Sequence, residues 1–334
     1  MPAGGAHGRA LPAWRCKGQG QRVNRANYIA GRLAQIVPTL FFIVIIVFVL
    51  TRYLPGGPIA ALLGDKASDE AVARITTQYG FDQPIWVQFV KFVDLALHGD
   101  LGESIAYRMP AMRLIGERLP VTLALTGFAA LIALLLAVPL AFVAAICQNR
   151  WPDLLIRGVF QVGLSSPIFY VGLLLLTVLA AGLRLFPVGG YGDTTGDQVY
   201  HLILPALTLA LSLSAIIMRN LRASIIAVLG AEFVDFARAK GLPARVVFGR
   251  HVLRNALIST VTIVGLHVGD LLGGAVITET VFAVPGVGRL MVDSIFARDY
   301  PVIQALTLTL AVLVSLAFLL TDLLQMALDP RAAR

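Results

Sequence analysis

Charged residues are few in this chain. Only 14% of its 334 residues are Asp, Glu, Lys or Arg, against about a quarter in an ordinary soluble domain. Cysteine is nearly missing. Cys16 and Cys147 are the only two, which imply no disulfide framework and read as free thiols on or near the cytoplasmic side. Lysine occurs four times, at Lys17, Lys66, Lys91 and Lys240, and none completes a G-x-x-x-x-G-K-[ST] loop. The chain therefore carries no phosphate-binding loop of its own. Its five histidines, His7, His98, His201, His251 and His267, have no H-E-x-x-H spacing, and no G-x-S-x-G nucleophile elbow occurs. These absences argue against an enzyme.

What is abundant is apolar surface: 57% hydrophobic residues and a mean hydropathy of +0.81. The net charge of +8 suggests nucleic acid at first sight. The basic residues are scattered between apolar runs, however, so orientation in a membrane explains them and no nucleic-acid partner is expected.

A transmembrane helix needs about 20 mostly apolar residues. Reading between charges gives about six. The first lies between Arg32 and Arg52, the second between Arg118 and Arg150, and the third between Arg157 and Arg184. The fourth, HLILPALTLALSLSAIIM, ends at Arg219. The fifth runs from about Leu257 to Phe282 and the sixth from about Val302 to Leu324, with Asp322 near its end. The first run is too long for a signal peptide and is followed by YLPGGP rather than a small-residue cleavage site, so it reads as a retained helix. The expected fold is an all-α integral membrane bundle. Pro38, Pro139, Pro167 and Pro205 fall inside spans, where they either serve packing or bend helices around a passage.

Orientation follows from Lys and Arg in short loops. Arg9, Arg15, Lys17, Arg22, Arg25 and Arg32, the turn with Arg150 and Arg157, the loop from Arg219 to Arg254, and Arg331 and Arg334 all fall on one side. Both termini are therefore expected in the cytoplasm. The expected divisions are a polar arm over 1–28, a first helix with an external segment over 29–118, a transport domain over 119–328 and a short tail over 329–334.

Between spans four and five lies a cytoplasmic loop, 219–256. In AEFVDFARAKGLPARVVFGRHVLRNAL, Phe233, Phe236, Ala237, Val246, Val247, Val252 and Leu253 recur at helical spacing. Gly241 and Pro243 divide it into two short helices, glycine making the turn and proline opening the second helix. Such basic amphipathic helices suit either lipid headgroups or a docked partner.

This loop closely resembles the coupling segment of binding-protein-dependent ABC importer permeases, and more narrowly of the dipeptide/oligopeptide family. The matching residues are Glu232, Ala237, Arg238, Ala239, Lys240, Gly241, Leu242, Arg250, His251, Leu253, Arg254, Asn255, Ala256, Leu257 and Ile258. Ser259 stands where the family usually has proline, and Asp235-Phe236 where a basic or threonine pair is common. GDLGES at 99–104, ERLPVTLAL at 117–125, ETVFAVPGVGRLMVDSIFARDYPVIQ at 279–304 and DPR at 329–331 extend the likeness.

The resemblance implies a type I importer permease fold in a bacterial inner membrane. It implies that Glu232 and Ala237–Leu242 couple to two separate ABC ATPase subunits. It also implies a second homologous permease and a periplasmic or extracytoplasmic solute-binding protein. This chain would bind no cofactor, with ATP and Mg used by the ATPase partners. The expected solute is a dipeptide or oligopeptide; nickel, glutathione or another small solute on the same architecture is the alternative. A channel or secondary transporter fits less well, because no inverted repeat is evident and the docking loop would have no role.

Two further expectations concern membrane-level residues. In FDQPIWVQFVKFVDLAL, Ile85, Trp86, Phe89, Val90 and Val93 share one helical face, which suits an interfacial helix, a lid on the bundle or a binding-protein contact. His267 and Asp270 are three apart, hence neighbours on one face of span five. They form either a local pair facing the second permease or part of the translocation path. The resemblance implies that Glu279 belongs to the outer hairpin rather than the path.

Overall fold

The computed structural model describes residues 25–53 and 82–328, with Glu70, Ala73, Thr76 and Thr77 as isolated positions between them. The expectations for the N-terminal arm up to Asn24, for most of the segment before Phe81 and for the DPR signature lie outside the described residues. Among the described residues there is no β-strand, only an isolated bridge between Glu103 and Pro110.

The helices are α1 (Arg25–Tyr53), α2 (Ile85–Leu97), α3 (Ala111–Ile146), α4 (Trp151–Ser165), α5 (Ile168–Gly182) and α6 (Thr195–Leu229). They continue as α7 (Glu232–Ala239), α8 (Ala244–Leu266), α9 (Val268–Val281), α10 (Val287–Phe296) and α11 (Tyr300–Leu328). Of these, α1, α3, α6 and α11 are long and apolar enough to cross a bilayer. Two bent pairs, α4 with α5 and α8 with α9, bring the number of spans to six if each pair is one span.

The bundle is organised around α3 and α6. Ala129, Ala133, Ala137 and Ala141 recur every fourth residue along α3 and are fully buried. That spacing puts them on one face, and their small side chains let a second backbone approach closely, the usual basis of helix association in lipid. The facing surface of α6 supplies Ala206, Leu209, Ala210, Leu213, Ile217 and Leu221, all in the same buried cluster. A second cluster closes one end, where Ala111, Leu114 and Ile115 of α3 meet Leu290 of α10 and Val302 and Leu306 of α11.

The structure moves several expected boundaries. Span two starts at Ala111 and span four continues to Leu229, because helices run on through Arg113, Glu117, Arg118, Arg219 and Arg222 once they clear the apolar zone. Span three is not continuous. The residue before a proline is pushed to extended backbone; Ser166 is extended (ψ 133°), and the chain bends by 107° between α4 and α5. Span five bends by 53° at His267. Asp322 is not at a helix end, since α11 continues to Leu328; it pairs instead with Arg32 of α1 at 3.1 Å. On α2, Phe89 and Phe92 turn toward Phe48 of α1, with ring centroids 5.2 and 5.8 Å away, while Trp86 and Val90 stay exposed. The apolar set on α2 is thus divided between the bundle and the exterior.

Candidate functional site

The most distinctive local structure is the elbow that α7 makes at the end of the bundle where α6 stops. Gly230 ends α6, Ala231 is extended, and α7 starts at Glu232. Glu232 and Asp235 occupy its first turn and Arg238 its last, the arrangement that complements the helix dipole. The helix ends in a Schellman turn. Gly241 N–H donates to Arg238 O (2.9 Å) and Leu242 N–H to Ala237 O (3.4 Å), which requires a left-handed residue between them. Gly241 supplies it with φ +75°. Pro243 then sits just ahead of α8.

The elbow has an inner and an outer face. Val234 and Ala237 are buried in the main core cluster with Val247 and Val252 of α8 and Leu221 and Ile225 of α6. Phe142 of α3 meets Phe248 edge-on at 5.6 Å, tying the start of α8 to the bundle. The residues expected to share one apolar face do not: Phe233 and Phe236 point outward, Phe236 being 63% exposed. The physical reason is the helical offset, since 233 and 236 lie one position behind 234 and 237 and so about 100° away around the axis. Lys240 Nζ lies 4.7 Å from the Phe236 ring centroid, and Arg238 pairs with Asp235 at 3.5 Å. Leu242 is also exposed. The outer face therefore presents two aromatic rings and an aliphatic side chain rimmed by both signs of charge.

Beyond Pro243 the expected second helix opens at Ala244 but is not short. The chain enters α8 and continues to Leu266 through a π-helical stretch at Val247–Leu253. The elbow is consequently one short helix welded by a tight turn to the base of span five.

Farther along that span, His267 Nδ1 lies 2.6 Å from Asp270 Oδ2, so the expected neighbours do meet. They meet at the α8–α9 bend, midway along the span. Asp270 remains 76% exposed within this chain.

Three buried carboxylates went unread in the sequence as anchors. Asp153 of α4 takes a bidentate pair of hydrogen bonds from Arg222 of α6, at 2.7 and 2.6 Å, and a third from Asn149 N–H at 2.9 Å. Glu279 accepts from Thr122 Oγ1 at 2.5 Å and from Arg289 N–H at 3.0 Å, while Val287 N–H donates to Thr122 Oγ1 at 2.9 Å. The carboxylate thus caps the start of α10, where free N–H groups favour an anion. A Cβ at Gly286 would overlap it. Asp299 accepts from Ser104 Oγ and from the N–H groups of Ile105 and Ala106, fixing residues 104–106 to the turn before α11. The acidic residues in WPDLL, ETVFAVPG and ARDYP were the available signal, but not their partners.

A bundle of up to six spans with an exposed elbow at one end is the architecture of a multi-pass membrane protein. Residues 26–126 match the family described as "Binding-prot-dependent transport system membrane comp, N-term". Residues 137–334 match "Binding-protein-dependent transport system inner membrane component", and the chain belongs to this family. It is accordingly the permease, not a catalytic subunit, of an ABC importer, a multi-pass inner-membrane protein that works with other components of such a system and with a binding protein. Curated relatives include the glutathione transport system permease protein GsiC of Escherichia coli (strain K12), 39% identical over 304 residues. GsiC of Salmonella paratyphi A (strain ATCC 9150 / SARB42) is 38% identical over the same length. In both cases 91% of this chain and 98% of the relative are covered. Among solved structures, a chain of the inward-facing MetNI methionine ABC transporter superposes with a TM-score of 0.56 at 15% identity. It covers 65% of this chain and 97% of that one, a likeness of fold.

Proposed function

We propose that this chain forms half of the path of an importer for a small peptide-like solute, with glutathione as the leading candidate. The observation that carries the proposal is the near full-length match to permeases named for glutathione transport. It favours the alternative solute over the dipeptides and oligopeptides that the loop motif placed first; glutathione is itself a tripeptide.

The other half of the path is a second homologous permease. Asp270 supports this: a charge at mid-bilayer costs about 2.5–3.5 kcal/mol on insertion scales, so a carboxylate this exposed in the single chain needs a neighbouring subunit or a water-filled path beside it. His267 and Asp270 are placed on that path. Two separate ATPase subunits dock on Glu232 and the Ala237–Leu242 turn, each permease carrying one elbow. The support is geometric: the inner face is packed into the bundle core while Phe233, Phe236 and Leu242 are left outside, as a hot-spot patch for a partner requires. ATP and Mg belong to those subunits. Both termini lie in the cytoplasm, from the Lys and Arg distribution, and a solute-binding protein delivers the solute from the opposite side.

The test is uptake of labelled glutathione and of a labelled dipeptide by cells of the native host lacking this gene. Glutathione uptake should fall to background and return when the gene is restored. Loss of dipeptide uptake with glutathione uptake intact would overturn the choice of solute.

A further inference from the structure

We propose that the cavity between α4 and α6 is a binding site for the headgroup of an anionic phospholipid. The cavity measures about 570 Å³, and it sits where the α3–α4 turn meets the elbow-side half of α6. Arg222 lines it, and behind Arg222 lies its partner Asp153. Asp153 is fully buried and Arg222 is 16% exposed, so their charges are spent on each other. One turn along each helix stands a further arginine: Arg157, four residues after Asp153, and Arg219, three residues before Arg222, each on the face of its helix that carries the pair. Both line the cavity. Both are exposed, and among the described residues neither has a carboxylate oxygen within 4 Å, although the charge of Arg157 is felt at Asp153. Three arginines against one aspartate leave a net surplus of two positive charges at the cavity, with the Gln161 amide beside them.

Gln148 and Asn149 add polar groups at the α3–α4 turn, and Phe160, Leu164 and Met218 make the apolar part of the wall. Outside it, Leu155, Val159 and Val162 run exposed along α4. A phosphate drawn to the two guanidiniums would thus have a greasy track for two acyl chains leading away from it. A soluble anion gains nothing from that track, which is why the occupant is a lipid. Basic pockets between transmembrane helices at the cytoplasmic face are suited to such headgroups. The leaflet follows from the orientation proposed above; binding itself does not depend on it or on the solute.

The experiment uses the whole importer complex in non-ionic detergent. It is incubated with equal amounts of phosphatidylglycerol and phosphatidylcholine, and retained lipid is counted by native mass spectrometry. Each basic residue near an anionic surface contributes about fivefold, so R157Q/R219Q should lower the preference for phosphatidylglycerol by up to about 25-fold. R157K/R219K, which keeps the charge, should retain most of it. Should the double variant fail to assemble, the single variant R157Q gives the same reading at about fivefold. Equal phosphatidylglycerol retention by wild type and variants overturns the proposal. So does displacement of the lipid by millimolar inorganic phosphate, which would mark a site for a soluble anion. Transport assays play no part, so failure here leaves the permease assignment untouched.

Discussion

Replacing Gly241 isolates the elbow from the rest of the molecule. Its φ of +75° is where an L side chain is strained, yet a Cβ built there meets no atom within 4 Å. Any effect must therefore come from the backbone and not from a clash. Alanine in this region costs about 1–2 kcal/mol, valine more because its branched Cβ crowds the turn, and asparagine least because it tolerates the left-handed region. At about 1.4 kcal/mol per factor of ten, alanine should cut the population of the native turn about 5- to 30-fold if the strain is not relieved. The hydrogen bonds at risk are the two that close α7, Gly241 N–H to Arg238 O and Leu242 N–H to Ala237 O. Of this turn only Ala237 belongs to the buried core, so the amount of inserted protein should stay level. Solute-stimulated ATPase activity of the reconstituted importer should fall in the order glycine, asparagine, alanine, valine. Full activity in Gly241→Val would refute the reasoning, and so would equal loss in all three variants, since backbone strain produces a graded series.

Asp153→Ala leaves Arg222 largely buried with no counter-charge and should destabilise the protein by about 3–5 kcal/mol; the melting temperature in detergent reads this, and Asp153→Leu with Arg222→Met should recover much of the loss. Glu279→Ala strands the Thr122 hydroxyl and the Arg289 N–H, at about 1–3 kcal/mol for each buried group, so trypsin should cut after Arg289 faster than in the wild type, whereas Glu279→Gln should lie between. Asp270→Asn should alter uptake of the solute without altering insertion; uptake with unchanged rate and selectivity would remove Asp270 from the path.

Hydropathy reads spans well because lipid excludes charge, and all six expected spans correspond to helices or bent helix pairs. It reads their ends badly. Cutting at Arg118 and Arg219 assumes that charge stops a helix, whereas α3 and α6 carry Arg118 and Arg219 in their own continuing turns. The bend at Ser166 was written in Pro167 but could equally have been a tolerated kink, as Pro139 and Pro205 are inside α3 and α6. For the elbow, Gly241 and its neighbours were legible because a Schellman turn is local. The inward turn of Val234 was not, because apolar spacing of three fits either of two adjacent faces. Pairings such as Thr122 with Glu279, 157 residues apart, or Ser104 with Asp299, 195 apart, leave no trace in local pattern.

The contact between α1 and α11 constrains how the protein is made. Arg32 finds Asp322 only after the 289 residues between them have been made. Until then the leading helix waits in the bilayer with its basic group unmatched by that carboxylate, and the trailing helix arrives last to latch it. A chain arrested before Tyr300 lacks the latch altogether, and its first helix has only the rest of the bundle to hold it.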